Sequence, residues 1–383
     1  MKKILLIFIA FIFLISNVHA ENITKYSQSA VLMEKSTGKI LYELDSTKEN
    51  PPASMTKIMS MILIMDQIKM GKLAFNDKVV ISENASSMGG SQVYLNTNET
   101  YKVEELLKSV AIASANDAVV ALAEKTYGSV EKFVEKMNLK CKEIGCKNTN
   151  FVNPHGLDAE GHYSSSYDMA LMARYLITNH EDILKFTSIY EDYLHRPDGS
   201  QTWLVNTNKL VRFYDNVDGL KTGFTEGAGY CLTATAKRGE MRLISVVMGV
   251  DTIDNRTSDT VKLLNYGFNT YKLETIYKKG KVIDKVKVEK GKKDFVEIVL
   301  MNDATELLSN EENKKNYMIN IELKKLVAPI KKGKVVGEAE IIDNEGNIID
   351  IEQITVKEDV EKANYLDYFK RNIKELFSGK IIK

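Results

Sequence analysis

The sequence predicts an α+β fold, in which an antiparallel sheet is flanked by helices and a smaller all-β domain follows. Three observations support this class. Strand-like segments come first, helical segments follow, and strand-like segments return near residue 230, so the first and last strands would meet in one sheet. Between about residues 273 and 361 the sequence consists of short alternating segments. A chain of 383 residues is long enough for two or three folding units at about 150 residues per domain.

The overall composition excludes several classes of protein. Lys and Arg together number 52, as do Asp and Glu, so the chain has no net positive charge with which to attract a nucleic acid. Three cysteines are too few for a disulfide scaffold. The 5 prolines and 22 glycines are too few for a long flexible linker. An ordinary globular protein is expected.

The N-terminal segment 1–20 has the pattern of a secretory signal peptide. Lys2 and Lys3 precede an unbroken apolar run over 4–15, and Val18 and Ala20 place small residues at a cleavage site. The run is shorter than the ~20 residues that a membrane-spanning helix needs. We therefore expect cleavage directly after Ala20 and a mature protein that works outside the cytoplasm, in a periplasm or on the outer face of a plasma membrane.

Residues 21–273 are expected to form the main domain. It opens with a β-hairpin, because the apolar segments 30–33 and 40–42 flank the turn-forming Ser36-Thr37-Gly38-Lys39. Helical segments follow, and a second hairpin around Lys237-Arg238-Gly239-Glu240 closes the domain. The predicted helices cover 55–68, two segments of 103–127 that are broken near Ser114, and 167–178; the closing strands cover 230–236 and 241–250.

Residues 274–361 are expected to form a β-rich domain. Short alternating runs are separated by turn signals such as Asp343-Asn344-Glu345-Gly346-Asn347. No set of side chains suited to catalysis is evident in this sequence. The predicted strands cover 282–288, 295–300, 317–323, 335–342 and 348–356.

Residues 362–383 predict an amphipathic helix. Basic side chains outnumber acidic ones there, and the apolar residues recur at helical spacing: Leu366, Phe369, Ile373, Leu376 and Phe377. Such a helix suits an anionic membrane surface. The same periodicity fits a helix packed on its own domain, but the terminal position and the secretion signal favour an anchor at the membrane surface.

The first motif whose side chains could carry out catalysis is Ser54-Met55-Thr56-Lys57, at the start of the predicted helix 55–68. A spacing of one helical turn places both side chains on one helical face, and the free N–H groups of a helix N-terminus favour developing negative charge. A serine hydroxyl needs a base, and a desolvated lysine can be that base. The lysine pKa would have to fall from ~10.4 to about 7, at a cost of roughly 4 kcal/mol.

Two further motifs strengthen this one. Ser114-Ala115-Asn116 lies at a break between helices, and Lys221-Thr222-Gly223 lies just before the paired strands. The first two motifs are weak alone, because Ser-x-x-Lys also occurs at 36–39 and 129–132 and Ser-x-Asn also occurs at 82–84. Lys-Thr-Gly occurs once, but alone it fits an ordinary turn between Gly219 and Gly227. All three, in this order and at this spacing, are the signature of penicillin-recognising serine enzymes.

The flanking residues narrow the resemblance. The chain closely resembles the low-molecular-weight penicillin-binding proteins of the D-alanyl-D-alanine carboxypeptidase type, over essentially the whole mature chain. This resemblance implies a β-lactamase/transpeptidase-like catalytic domain, a β-rich C-terminal domain and a terminal helix that holds such enzymes on the membrane. The matching segments are 52–57, 113–118, 153–158 and 218–223, with further likeness at 162–168 and 264–268.

The resemblance also implies a serine acyl-transfer mechanism on a peptidoglycan stem peptide that ends in D-Ala-D-Ala. Ser54 would attack the carbonyl of the penultimate D-alanine, with Lys57 as general base. Ser114 would complete the proton relay to the leaving D-alanine, and Asn116 would hold the peptide backbone. Lys221 would add positive charge and lower the proton affinity of Lys57 and Ser114. β-Lactam antibiotics would be covalent inhibitors.

The remaining implied roles concern the substrate carboxylate and the oxyanion. Thr222 and Arg256 would hold the terminal carboxylate, with Gly223 in the same substrate-binding segment. Backbone N–H groups of Ser54 and Phe224 would form the oxyanion hole, where each donor stabilises the transition state by roughly 3 kcal/mol. Some relatives carry histidine at the position of Phe224, but a backbone donor survives that change.

Neither a metal nor another cofactor is expected. Cys141, Cys146, His155 and His162 follow one another at spacings that match no common zinc site. Cys141 and Cys146 either stay free or form a small disulfide outside the cell. Cys231 lies in a predicted strand and is expected to be an inert buried thiol.

Three other functions remain open on the sequence. A β-lactamase shares the motifs but needs a deacylating glutamate, for which residues 181–185 are a near match, and it has no use for a β domain and an anchor. A D,D-endopeptidase would use the same residues on crosslinks. A penicillin-sensing or scaffolding module would be acylated without turnover, so hydrolysis of a D-Ala-D-Ala peptide separates it from the enzyme.

Overall fold

The computed structural model describes residues 23–312 and 315–377. The predicted signal peptide, 1–20, lies outside the described residues, and so does the segment 378–383 of the predicted terminal helix.

A five-stranded antiparallel sheet forms the centre of the first part of the chain. Its strand order is β2-β1-β9-β8-β7, so the first and last strands meet as expected. The short strands β3 and β4 form one small hairpin-like pair, and β5 and β6 form another. The strands are β1 (Ser29–Glu34), β2 (Ile40–Leu44), β3 (Lys78–Val80), β4 (Thr100–Lys102), β5 (Glu191–His195), β6 (Gln201–Val205), β7 (Val217–Thr225), β8 (Gly229–Arg238) and β9 (Met241–Val250).

Helices cover both faces of this sheet. On one face α6 packs against β1 and β9, and α1, α4 and α5 pack behind it; on the other face α9 packs against β8 and β9. Two 3₁₀ turns, Ala53–Thr56 and Glu181–Ile183, precede α1 and α7. The helices are α1 (Lys57–Lys69), α2 (Glu83–Ser86), α3 (Val103–Ala113), α4 (Asn116–Tyr127), α5 (Val130–Ile144), α6 (Ser166–Asn179), α7 (Leu184–Thr187), α8 (Leu210–Phe213) and α9 (Ile253–Thr270).

Alternate residues of the sheet feed two hydrophobic cores. In β1, Val31 and Met33 belong to the core beneath the inserted helices, whereas Ala30 and Leu32 belong to the core beneath α9. This alternation follows from the period of two in a β-strand. Because both faces are buried, β1 and β9 are apolar at most positions, which explains why their sequences show runs instead of alternation.

The second part of the chain is built from β-strands and a final helix. A five-stranded antiparallel sheet has the order β11-β12-β16-β15-β14, and β10 pairs with β13 beside it. Ile298, Ile341 and Ile354 are fully buried in the core of this part. The elements are β10 (Tyr271–Tyr277), β11 (Val282–Lys287), β12 (Phe295–Leu300), β13 (Ala304–Ser309), β14 (Tyr317–Leu323), β15 (Gly337–Asp343), β16 (Ile348–Val356) and α10 (Tyr365–Phe377).

The predicted fold class is confirmed, and the differences in detail have physical causes. The sequence did not predict α9, because that helix is mostly polar and its buried apolar stripe is narrow, with Leu263, Leu264 and Phe268. The strands β3 to β7, β10 and β13 were also not predicted, and the Lys221-Thr222-Gly223 segment, expected just before the paired strands, lies within β7 and pairs with β8. The predicted helix 55–68 begins as an α-helix at Lys57, since the residues before it form a 3₁₀ turn.

Two further outcomes concern the cysteines and the helices. Cys141 and Cys146 form a disulfide at the end of α5, which answers the question that the sequence left open. Cys231 is a buried free thiol, and burial raises its pKa to about 11, as expected for an inert cysteine. Within residues 23–312 and 315–377, no helix has both the length and the hydropathy to cross a membrane.

Candidate active site

Ser54 lies on the 3₁₀ turn Ala53–Thr56, directly ahead of α1. The turn is tightly enclosed by two glycines. A Cβ on Gly156, whose φ is +91°, would lie 1.9 Å from the carbonyl oxygen of Ala53. A Cβ on Gly223 would lie 2.8 Å from the carbonyl oxygen of Pro52. Ala53 itself has a φ of +46°, which is strained for a residue with a side chain. The backbone before Ser54 is therefore held in one position from both sides.

Lys57 is the centre of the hydrogen-bond network and has no solvent-exposed surface. Its Nζ lies 2.9 Å from Ser54 Oγ, 2.7 Å from Asn116 Oδ1 and 2.7 Å from the carbonyl oxygen of His155. Two of these partners can only accept a hydrogen bond, whereas the serine hydroxyl can also donate. A neutral amine would donate to Asn116 and His155 and keep its lone pair for the Ser54 proton. The geometry thus matches the donor and acceptor pattern of a general base.

The electrostatic surroundings of Lys57 favour that neutral amine. Burial lowers the pKa of Lys57 well below its ordinary value, and the charge of Lys221 lowers this pKa further. The carboxylate of Asp117 acts in the opposite direction but is the weaker influence. No carboxylate of the described residues forms an ion pair with Lys57. The desolvation that the motif required is therefore present in the fold.

Ser114 and Asn116 occupy the break between α3 and α4, as the sequence predicted. Ser114 has a φ of +62°, so α3 ends there in a left-handed residue. Its Oγ is buried and lacks a hydrogen-bond partner in the described part of the chain. Asn116 connects two groups, since its Oδ1 accepts from Lys57 and its Nδ2 donates to Gly89 O at 2.7 Å. An unpartnered buried hydroxyl is free to take a proton from, or give one to, a bound molecule.

Lys221 and Arg256 are two buried basic side chains outside the hydrogen-bond network of Lys57. Burial, helped by the Arg256 charge, lowers the pKa of Lys221 to about 7. Burial also lowers the pKa of Arg256, whose Nε has no partner among the described residues. Lys221 Nζ donates to Thr222 O at 3.1 Å. In the described ranges neither cation forms an ion pair with a carboxylate. Two buried cations without an anion are suited to bind an anionic ligand.

Thr222, Gly223 and Phe224 lie on β7, the edge strand of the main sheet. The Thr222 hydroxyl donates to Thr207 Oγ1 at 2.7 Å. The Phe224 side chain is 52% exposed and stacks on Tyr230, with ring centroids 4.3 Å apart. An edge strand has backbone groups that are not used by a neighbouring strand, so an extended peptide can pair with it.

His155 and His162 both form hydrogen bonds within the protein. His162 Nδ1 accepts from Val152 N–H, and its Nε2 lies 2.9 Å from Thr56 Oγ1. His155 Nδ1 accepts from Leu157 N–H at 3.2 Å, and its carbonyl oxygen belongs to the Lys57 network. Burial lowers the pKa of His155 to about 3 and that of His162 to about 4, so both rings stay neutral at neutral pH.

The structure brings the three sequence motifs into one site and adds residues that the motifs did not reveal. Gly89 and Thr207 contact motif residues, and His155 contributes a main-chain oxygen to Lys57. Main-chain acceptors leave no trace in side-chain identity, so sequence reasoning could not assign them. The segment around Gly156 had a signal, because 153–158 matched a family pattern, but the role of that glycine needed the contact with Ala53.

Comparisons with known proteins show the family of this chain. A family model described as D-alanyl-D-alanine carboxypeptidase matches residues 16–252. The chain belongs to the D-alanyl-D-alanine carboxypeptidase family. A second model, described as the C-terminal domain of penicillin-binding protein 5, matches residues 271–362. The family resemblance inferred from the motifs is thereby confirmed.

Relatives in the family match nearly the whole chain. The D-alanyl-D-alanine carboxypeptidase DacF of Bacillus subtilis is 47% identical over 348 residues, which cover 91% of this chain and 89% of the relative. The D-alanyl-D-alanine carboxypeptidase DacA of Escherichia coli K12 is 34% identical over 360 residues, covering 90% and 87%.

Solved structures of the family have the same fold. Penicillin-binding protein 5 from Haemophilus influenzae superposes with a TM-score of 0.70 at 35% identity, covering 88% of this chain and 98% of that one. Penicillin-binding protein D2 from Listeria monocytogenes, in its ampicillin-bound form, superposes with a TM-score of 0.57 at 32% identity, covering 63% and 97%. The latter covers less of this chain.

Proposed function

We propose that this protein is a serine-type D-alanyl-D-alanine carboxypeptidase that removes the terminal D-alanine from peptidoglycan stem peptides. The observation that carries the proposal is the network of Lys57. A fully buried amine lies 2.9 Å from Ser54 Oγ and has its other two partners in main-chain and amide oxygens. Family membership supplies the substrate class.

In the first step Ser54 is acylated. Lys57 takes the Ser54 proton while Oγ bonds to the carbonyl carbon of the penultimate D-alanine. The carbonyl oxygen becomes an oxyanion, which the backbone N–H groups of Ser54 and Phe224 would stabilise. The C–N bond then breaks, and the proton held by Lys57 passes through Ser114 to the nitrogen of the leaving D-alanine.

In the second step water hydrolyses the acyl-enzyme. Lys57 takes a proton from the water as its oxygen attacks the ester carbon, and the bond to Ser54 Oγ breaks. The proton returns to Oγ, so the enzyme is restored. The same base thus serves acylation and deacylation.

The substrate's terminal carboxylate would bind at the buried basic side chains Lys221 and Arg256. Thr222 supplies a hydroxyl on the edge strand, and Arg256 and Lys221 supply buried positive charge without a protein counter-ion in the described structure. Gly223 lets β7 approach the turn that carries Ser54, so the carboxylate and the nucleophile are close. Asn116 would hold the peptide backbone on the acyl side. This arrangement would bind a free carboxylate next to the scissile bond, such as that of a terminal D-alanine.

The experiment is release of free D-alanine from diacetyl-Lys-D-Ala-D-Ala by the mature protein. We expect release by the wild type and none by Ser54→Ala. Ser36→Ala is the matched control, because Ser36 begins another Ser-x-x-Lys spacing in the hairpin turn between β1 and β2. Fluorescent penicillin is expected to label the wild type and Ser36→Ala but not Ser54→Ala, since a β-lactam acylates the same nucleophile.

Other outcomes would favour the alternative functions. Penicillin labelling at Ser54 without D-alanine release would refute the carboxypeptidase. Cleavage of crosslinked peptide dimers would then indicate a D,D-endopeptidase, and inactivity on both substrates would indicate a sensing or scaffolding module. Rapid loss of the penicillin label, with hydrolysis of the antibiotic as the main reaction, would indicate a β-lactamase.

We also propose the domain organisation and location inferred from the sequence. Residues 1–20 would be removed on secretion, 21–273 would form the catalytic domain, 274–361 the β-rich domain and 362–383 the membrane-binding helix. Support for the last comes from α10, where Leu366 is 63% and Phe369 54% exposed on the apolar face. The Arg371 guanidinium is directed to the protein instead, since it donates to Gly291 O.

Binding of the mature protein to lipid vesicles tests this proposal. We expect sedimentation with phosphatidylglycerol vesicles and weaker sedimentation with phosphatidylcholine alone, since the helix is both apolar and basic. The double variant Leu366→Asp/Phe369→Asp is expected to stay in the supernatant. Val80→Asp is the control, because Val80 is 61% exposed on β3, far along the chain from α10. Equal sedimentation of all three proteins would refute membrane binding through α10.

A further inference from the structure

The loop of residues 88–98, called the roof loop here, lies directly against Asn116. Gly89 O accepts from Asn116 Nδ2 at 2.7 Å, and Ser91 O accepts from the backbone N–H of Asn116 at 2.7 Å. Gly90 has a φ of +76°, and a Cβ there would lie 2.9 Å from Asn116 Nδ2. Since Nδ2 donates its hydrogen bond to Gly89 O, the other end of the planar amide, the oxygen Oδ1, faces Lys57. The position of the roof loop therefore determines which end of the amide meets the base.

The roof loop is irregular and depends on side chains for its hydrogen bonds. Among the described residues, the peptide groups of 89–95 form no main-chain bond except that of Ser91 with Asn116. The Asp117 carboxylate accepts from Val93 N at 3.0 Å and from Leu95 N at 3.1 Å. A carboxylate thus takes the place that a neighbouring strand would have in a sheet.

A guanidinium holds the carbonyl groups of the same segment. Arg196 Nη2 donates to Val93 O at 2.5 Å, and Nη1 donates to Tyr94 O at 3.0 Å. Arg196 lies in the turn between β5 and β6, where its Nε donates to Thr202 Oγ1 at 2.9 Å. Asp117 and Arg196 therefore both bind the main chain of residues 93–95. Asp117 accepts from N–H groups, and Arg196 donates to carbonyl oxygens.

Asp117 and Arg196 differ in their connection to the base. Asp117 is buried in the first turn of α4, and its negative charge acts directly on the pKa of Lys57. Arg196 contacts the roof loop, and in the described structure it forms no hydrogen bond with Lys57. Replacing Arg196 therefore perturbs the roof loop while Lys221 and Asp117, the charged groups that act most on the Lys57 pKa, stay in place.

We propose that Arg196 and Asp117 are positioning residues for acyl transfer. They hold the roof loop so that Gly89 keeps the Asn116 oxygen on Lys57, which leaves the lone pair of the amine for the Ser54 proton. The proposal rests on the acyl-transfer function proposed above. Charge-assisted hydrogen bonds to main-chain groups are strong enough for this purpose, at about twice the strength of neutral ones.

The test compares Arg196→Ala with Arg196→Lys and with the control Arg212→Ala. Arg212 is a matched arginine on α8, and its guanidinium lies over the ring of Tyr190. Two quantities are measured: the rate constant for acylation of Ser54 by a fluorescent penicillin, and amide hydrogen exchange in peptides that cover 88–98. For Arg196→Ala we expect acylation to slow by about tenfold and exchange in 88–98 to accelerate. Added guanidinium ion is expected to restore part of the acylation rate.

The expected order of acylation rates is wild type equal to Arg212→Ala, then Arg196→Lys, then Arg196→Ala. Faster exchange in 88–98 with an unchanged acylation rate would overturn the proposal, because the loop would then not position the base. Slower acylation with unchanged exchange, or without any rescue by guanidinium, would overturn it as well. Penicillin acylation does not require D-alanine release, so failure of the proposed carboxypeptidase activity would be seen separately.

Discussion

Replacing Gly156 by alanine should disable Ser54 from a distance, although Gly156 makes no contact with a substrate in the proposed mechanism. The new Cβ would lie 1.9 Å from Ala53 O and 2.9 Å from Thr56 Oγ1. Ordinary contact begins at 3.4 Å, so the Ala53 carbonyl has to move by about 1.5 Å. A displacement of ~1 Å of a reacting group can reduce a rate by about 100-fold. We expect a loss of that order in acylation.

The same change should also destabilise the fold. A side chain in the left-handed region costs about 1–2 kcal/mol, and overpacking of a filled site costs about 1–3 kcal/mol. The sum is about 2–5 kcal/mol. Gly128→Ala separates the two effects, because Gly128 has a φ of +87° but a Cβ there would have no neighbour within 4 Å. It should lose only the first amount and keep its acylation rate.

The assay is acylation by a fluorescent penicillin under single-turnover conditions, with unfolding by urea measured on the same samples. Gly223→Ala provides an intermediate case, since its Cβ would approach Pro52 O to 2.8 Å. The expected order of acylation rates is Gly128→Ala, then Gly223→Ala, then Gly156→Ala. A folded Gly156→Ala protein that is acylated at the wild-type rate would refute the reasoning, and so would an equal loss of acylation in Gly128→Ala.

Three further predictions concern protonation and the disulfide. Lys221→Gln should slow acylation and move the acidic limb of its pH–rate profile to higher pH, because the Lys221 charge lowers the pKa of Lys57 and its loss raises that pKa; an unmoved limb would show that Lys221 does not tune the base. Burial lowers the pKa of His162 from 6.5 to about 4, so the unfolded chain binds the proton first and stability is lost as pH falls from 6.5 to about 4. Over that range urea unfolding of His162→Gln should show about 3 kcal/mol less loss than the wild type, and parallel pH profiles would contradict the burial argument. The Cys141–Cys146 disulfide closes a short loop, so Cys141→Ser/Cys146→Ser should lower the free energy of unfolding by about 2 kcal/mol; urea midpoints that coincide for both proteins would argue against the cross-link.

The sequence by itself determined the elements that have strong local signals. The hairpin at β1 and β2, the break at Ser114 and the strand pair β8 and β9 follow from turn chemistry and apolar runs, and the structure places them as expected. The order and spacing of the three motifs also predict the nucleophile, its base and the second serine of the proposed mechanism, because those roles require particular side chains.

Polar helices and main-chain hydrogen-bond partners could not be predicted from the local sequence. The buried stripe of α9 is narrow, and its helix is stabilised by packing on β8 and β9, which only the folded chain provides. Local signals also do not reveal the main-chain acceptor of Lys57, because His155 contributes a carbonyl oxygen and any residue type could do so.

The lowered pKa of Lys57 shows most clearly which properties follow from the sequence and which from the tertiary structure. The sequence shows a lysine one helical turn after a serine, and that spacing also occurs at 36–39 in an exposed turn. Only the tertiary structure removes Lys57 from water and places Lys221, which is distant along the chain, near enough to act on it. Desolvation and Coulomb interaction depend on distances in space, so the chemistry of this lysine was decided by the fold, whereas its identity was written in the sequence.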